Sequence, residues 1–169
     1  MTRLSDTLDD ADRSRLSRAL ASGVLEAITT AGLQAIVLTS DLDVTNWARE
    51  HEATTCGDPG TGLSDAVRAG VLTVGGAPWL AIHADLPLVT SDAIAAVADA
   101  GRSTTVLVPS YDGGTTVIAS HGTFPFSYGV GSFQRHYAST PEATVIVSPE
   151  LSVDIDTELG LELVPELFE

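Results

Sequence analysis

At 169 residues the chain is long enough for one domain with a proper core, and no apolar run approaches the length of a membrane span. Its net charge is −15, and its 8 basic residues are all Arg, with no Lys. That balance argues against nucleic acid and anionic membranes as partners. An anionic small substrate stays compatible, provided that backbone N–H groups, a few Arg and metal ions meet its charge locally. The lone Cys56 excludes an internal disulfide and a multi-cysteine zinc site. The opening Met-Thr-Arg-Leu-Ser-Asp carries no signal-peptide pattern, so a cytoplasmic location is expected.

Helix and strand patterns alternate along the chain. Asp9 and Asp10 can cap a helix running to about Thr30, with Leu16, Leu20, Val24 and Ile28 on one face and Gly32 as a stop. Leu33–Thr39 reads as a buried strand ended by Ser40-Asp41. A short helix over Asp43–Glu52 follows, with Trp47 inward, then a weak strand at Ala53–Cys56. Gly57–Gly62 is a glycine-rich loop that leads into a helix from Ser64 to about Thr73. The turn Gly75-Gly76 precedes a buried strand over Pro78–Ile82. Ser91 and Asp92 start an alanine-rich helix stopped by Gly101. Thr104–Val108 and Thr115–Ala119 are β-branched strands joined by a turn-forming insert, Pro109–Gly114. A loop over Gly122–Gly131, a short helix at Ser132–Ser139 and a strand at Ala143–Val147 complete the pattern, with one more helical turn expected after Asp154. No repeat or linker divides the chain, so one domain is expected: an α/β three-layer sandwich with a mostly parallel mixed sheet.

Four motifs carry chemistry. The Pro78–Ile82 strand leads to Asp85, followed by Pro87, which cannot donate to a sheet ladder. An acid at the carboxyl end of a central strand stands where open α/β sheets place their ligands, and it suits a hard cation such as Mg²⁺. Taken alone, such an acid more often caps a turn. Asp154-Ile155-Asp156 is the second acidic element, its two carboxylates pointing the same way if the segment is extended. Mg²⁺ keeps several waters and takes one or two protein carboxylates, so Asp85 with Asp154 or Asp156 suffices. The third motif is Asp112-Gly113-Gly114-Thr115-Thr116. The fourth, Phe126–Ser132, ends on Gly131-Ser132 at a helix start, where free N–H donors are expected. Hydroxyls of Thr115, Thr116 and Ser132 can donate to phosphate. His83 and His136 read as hydrogen-bonded structural residues, and Arg135 as either a phosphate contact or a solvated helix residue.

The order Ala-Asp-Leu-Pro-Leu, Asp-Gly-Gly-Thr-Thr, Phe-Pro-Phe-Ser-Tyr-Gly-Val-Gly-Ser-Phe-Gln-Arg-His and Asp-Ile-Asp-Thr resembles the phosphoenolpyruvate / 2-phospho-L-lactate guanylyltransferases of coenzyme F-420 biosynthesis. The most specific phrase, Phe-x-Tyr/Phe-Gly-x-Gly-Ser-x-x-x-His, stands from Phe126 to His136, and the likeness runs from about Thr2 to Leu163. It implies a nucleotidyltransferase fold of the nucleotide-diphospho-sugar transferase type. It also implies Mg²⁺ on Asp85 and Asp154, with Asp156 a further candidate ligand, the acceptor's phosphate and carboxylate at Thr115 or Thr116, Gly129 and Ser132, and the nucleotide at Gly62, Leu63 and Ser64. The implied substrates are GTP and a three-carbon phosphorylated acid. No catalytic side chain is implied beyond alignment and metal. The family usually has Asn where Ser64 stands. It normally opens on a strand and a basic loop, Pro-Val-Lys-x-x-x-x-Ala-Lys-Ser-Arg-Leu, of which Met1-Thr2-Arg3-Leu4 matches only the end. An N-terminally shortened fold is therefore expected, with exposed strand edges that a homodimer would cover. The alternative is a non-catalytic paralogue that binds the acid or a partner protein but not GTP. A molybdopterin nucleotidyltransferase relative is disfavoured by the Phe126–His136 phrase.

Overall fold

The computed structural model describes residues 9–155. Helix α1 (Asp10–Thr30) starts where Asp9 accepts the Asp12 N–H at 2.8 Å, and it ends as Gly32 adopts φ +75°. Strand β1 (Ile36–Leu38) pairs in parallel with β2 (Thr54–Cys56) across α2 (Leu42–Glu50), which Asp41 caps. Next come α3 (Leu63–Thr73), β3 (Trp79–Ile82) and α4 (Ser91–Gly101), the last capped by Thr90. Strands β4 (Val106–Pro109) and β5 (Thr115–Ser120), helix α5 (Ser132–Ser139), strand β6 (Thr144–Val145) and helix α6 (Pro149–Ser152) complete the order.

Strand β5 is the centre of a four-stranded sheet ordered β3-β5-β4-β6, antiparallel to both β3 and β4, while β6 runs parallel to β4. Two of the four pairings are thus antiparallel, more than the mostly parallel sheet expected. The reason is that β4 and β5 join through a tight turn and β5 inserts beside β3. Among the described residues the strands form two sheets, and β1 and β3 each have a ladder partner on one edge only. Strand β1 is also shorter than the expected Leu33–Thr39.

The pleat explains the layers. Val106, Val108, Val117 and Ala119 face α1 and α4, packing on Val24, Ile28, Ile94 and Val97. Leu107 and Ile118 face the other way, against Val67 of α3 and the aromatic group Trp79, Phe124 and Phe126. Every residue of β5 is buried, and each large aliphatic side chain so placed stabilises by about 1.5–3 kcal/mol relative to exposure. Gly101 does not act as a left-handed stop. A Cβ there would lie 2.6 Å from the Ala119 Cβ, so this glycine lets α4 sit directly on β5. The bare helix face at that point fixes the carboxyl end of β3 relative to β5.

Candidate functional site

The β3–β5 ladder runs one residue beyond Ile82, because the His83 N–H donates to the Thr116 carbonyl at 3.0 Å. Three residues on, Leu86 is buried in the core and anchors the turn, and the Asp85 carbonyl accepts the Ile155 N–H at 3.0 Å. That bond brings the segment holding Asp154 against the acid that follows β3, although the two lie far apart in the chain. On its other side the same segment is tied to the β4–β5 turn. The Tyr111 N–H donates to the Ser152 carbonyl at 3.1 Å, and the Ser110 hydroxyl to Asp154 Oδ1 at 2.6 Å.

The carboxyl of Asp85 is pushed above the usual carboxylate range, first by burial; His83 pulls it back down and the Asp154 charge pushes it up again. Among the described residues three buried side-chain atoms lack a hydrogen-bond partner: His83 Nε2, Asp85 Oδ1 and Ser152 Oγ. All three belong to the two segments that meet here. Buried polar groups are normally paired, so unpaired ones gathered at one strand end mark a place shaped for a ligand. Asp156 lies outside the described residues. No cluster of three or more His, Cys, Asp or Glu side chains able to hold a metal occurs among the described residues.

The two threonines of the third motif part company at an irregularity in the ladder. Val108 pairs with Val117 and Pro109 with Thr115, leaving Thr116 as the extra residue of a bulge. Pro109 has no N–H for a regular ladder, and bulges re-aim side chains. Thr116, fully buried, donates to the Leu151 carbonyl at 2.5 Å with the Val108 carbonyl at 3.3 Å. Its hydroxyl proton is committed to the backbone. Thr115 turns instead toward α5, where its Oγ1 lies 3.0 Å from His136 Nδ1 and 3.4 Å from the Ser132 hydroxyl.

His136 is fully buried, and the Ser127 N–H donates to its Nε2 at 2.9 Å. Nε2 is therefore unprotonated, Nδ1 carries the hydrogen, and the ring donates to Thr115. Burial, with the nearby Arg135 charge, lowers its pKa from 6.5 to about 4, so it stays neutral at pH 7. One imidazole thus clamps the glycine loop to the bulge.

The loop itself is held from several sides. Trp79, Phe124, Phe126 and Tyr128 form an aromatic train, with Phe126 stacked on Tyr128 at 6.1 Å. Gly129 and Gly131 take φ +118° and +67°, conformations a side chain would strain. Arg135 is exposed on α5, as a solvated helix residue would be, and its guanidinium donates to the carbonyls of Ser127 and Val130 and to the Ser127 hydroxyl. The start of α5 also differs from expectation. The Ser132 and Phe133 N–H groups donate to the Gly129 and Gly113 carbonyls, so loop backbone occupies donors that the sequence reading left open for an anion.

The nucleotide-side segment joins the same loop. Gly62 precedes α3 with φ +113°, Leu63 is half exposed, and the Ser64 hydroxyl accepts the Tyr128 N–H at 2.9 Å. Asp85, Asp154, Thr115, Ser132 and Ser64 are thereby linked through one continuous set of contacts at one rim of the four-stranded sheet. His136 is the hydrogen-bonded structural residue that the sequence leads one to expect, whereas His83 Nε2 lacks the hydrogen bond expected of it, and the loop carbonyls gathered by Arg135 had no signal in the sequence.

The sequence model of the "Guanylyl transferase CofC like" family matches residues 1–165. The chain belongs to this family. Relatives of the family include a phosphoenolpyruvate guanylyltransferase of Geodermatophilus obscurus, 31% identical over 147 residues covering 82% of this chain and 66% of the relative. A 2-phospho-L-lactate guanylyltransferase of Halomicrobium mukohataei is 31% identical, covering 95% of this chain and 77% of the relative. A phosphoenolpyruvate guanylyltransferase of Rubrobacter xylanophilus is also 31% identical, covering 92% and 82%. The chain thus spans between about two thirds and four fifths of the length of these family members. Among solved structures, one described as a nucleotide-diphospho-sugar transferase from Desulfovibrio desulfuricans G20 superposes with a TM-score of 0.78 at 14% identity, covering 96% of this chain and 78% of that one. This likeness bears out the fold class expected of a CofC-like guanylyltransferase. No helix among the described residues is long and apolar enough to cross a membrane.

Proposed function

We propose that the chain is a Mg²⁺-dependent guanylyltransferase that transfers GMP from GTP to phosphoenolpyruvate or 2-phospho-L-lactate and releases pyrophosphate, in coenzyme F-420 biosynthesis. The observation that carries this reading is the buried, unpartnered Asp85 carboxylate oxygen beside Asp154, at the rim where Thr115, Ser132 and the glycine loop meet. Two carboxylates forced together in a desolvated pocket repel each other, and a divalent cation bound between them and phosphate oxygens relieves that repulsion. Asp85 and Asp154 fit such an ion, with Asp156 a further candidate ligand. When bound, it supplies neutralisation of charge on the phosphates.

The chain's own residues align the reactants. Gly62, Leu63 and Ser64 receive the nucleotide, and Thr115, Gly129 and Ser132 receive the acceptor. A phosphate oxygen of the acceptor forms a bond to the α-phosphorus of GTP while the bond from that phosphorus to the β-phosphate oxygen breaks, and pyrophosphate departs in line. The attacking oxygen is already ionised, so no proton moves and no general base is required. His136, neutral and Nδ1-protonated, keeps Thr115 and the Ser127 backbone in place during this step.

Phosphorus NMR of the purified chain with GTP, Mg²⁺ and each acid tests the proposal. A new P–O–P diester resonance with equimolar pyrophosphate is the expected result. Binding of an acid without GTP binding or pyrophosphate would replace this reading by that of an acid-binding paralogue.

A further inference from the structure

We propose that His83 is an acceptor-recognition residue, its Nε2–H donating to an anionic oxygen of the phosphorylated acid. The inference rests on the acid-binding reading above and adds to it the group that meets the acid's charge. A site walled by Asp85 and Asp154 repels an anion unless donors face it, and several candidate donors nearby are committed within the chain. Arg135 holds the carbonyls of Ser127 and Val130. Arg68 is paired with Asp65. The Ser132 and Phe133 N–H groups serve the carbonyls of Gly129 and Gly113, and the Thr116 hydroxyl serves Leu151.

His83 Nε2 is buried and has no hydrogen-bond partner among the described residues. The imidazole stands at the right junction. The backbone N–H of His83 donates to the Thr116 carbonyl, next to Thr115, and its ring lies 5.7 Å from the Tyr128 ring of the glycine loop. Asp85, whose Oδ1 is likewise buried and unpartnered, follows two residues later. On this proposal the acid's phosphate faces the carboxylates and its other end the glycine loop, with Nε2 meeting one of its anionic oxygens. A hydrogen bond to an anionic oxygen is charge-assisted, the strong kind.

Calorimetric titration tests this with the acid that supports pyrophosphate release, phosphoenolpyruvate or 2-phospho-L-lactate, in the presence of Mg²⁺. His83→Leu is expected to weaken acid binding by about tenfold or more, and His83→Gln, which keeps an N–H, to recover most of it. GTP affinity should change by less than about twofold, because the nucleotide segment touches neither atom. In the wild-type chain the ¹⁵N resonance of His83 Nε2 should shift on adding the acid and stay put on adding GTP. That measurement also serves if the Leu variant fails to fold. Acid binding to His83→Leu at wild-type affinity, or an unmoved Nε2 resonance at saturating acid, overturns the proposal alone. A wild-type chain that binds neither acid overturns it together with the guanylyltransferase reading.

Discussion

Replacing His136 by Asn or Gln separates the two hydrogen bonds that the ring makes. Asn keeps a donor near Nδ1 and so keeps Thr115, while the Ser127 N–H loses its acceptor; Gln does the reverse. Each leaves one buried group unpaired, which costs about 1–3 kcal/mol at pH 7. The wild-type ring also carries an acid liability. Above pH 6.5 the imidazole is neutral folded and unfolded alike. As the pH falls toward about 4 the unfolded chain takes up a proton that the buried ring refuses, so stability is lost. At pH 5 the difference between 6.5 and about 4 amounts to a loss of up to about 2 kcal/mol. Neither Asn nor Gln titrates there. Urea unfolding at pH 7 and pH 5 should therefore show the wild type's advantage at pH 7 shrinking or vanishing at pH 5, a relative midpoint change of about 1 M. Other groups, Asp85 among them, titrate in both proteins and cancel in the comparison. Parallel losses in variant and wild type between the two pH values would refute the buried, neutral assignment of His136.

Asp85→Asn should abolish pyrophosphate release while leaving the melting temperature unchanged or higher, because a desolvated carboxylate beside Asp154 is replaced by a neutral amide; a melting temperature lowered by many degrees would mean that the acid is a structural capping group. Thr115→Val should raise KM for the acid. Thr116→Val should instead lower stability by about 1–3 kcal/mol with KM nearly unchanged, since it strips the Leu151 carbonyl of its donor; the reverse assignment in steady-state kinetics and urea melts would contradict the bulge geometry. Arg135→Met should speed amide exchange over residues 127–131 and raise KM for the acid, because three donors to loop oxygens disappear; unchanged exchange would show that the aromatic train alone fixes the loop.

Local chemistry explains what could be read in the chain. Asp9 and Gly32 bound α1 as their residue types dictate, and the acid stands just beyond the end of β3 as the apolar run before it implies. The Phe126–His136 phrase pointed to the family. What escaped reading depends on pairing between distant segments. Thr115 and Thr116 are equivalent as sequence, and only the partnering of Pro109 decides which one reaches α5. Arg135 looks like any helix-surface cation until the carbonyls of Ser127 and Val130 converge on it. Gly101 reads as a helix stop, whereas its reason is Ala119 on another element. The two-sheet arrangement likewise depends on which edges find neighbours, which no single segment encodes.

The Tyr128 N–H to Ser64 bond has a thermodynamic consequence. It rivets the segment offered to the nucleotide onto the loop offered to the acid, so the ordering entropy of both is lost together. A guest that stills one segment leaves less disorder for the second guest to remove, and the favour is returned in equal measure whichever arrives first. Cutting that rivet with Ser64→Ala should leave the acid's affinity measured alone nearly intact and erase the synergy between the two guests, whatever it does to nucleotide binding by itself.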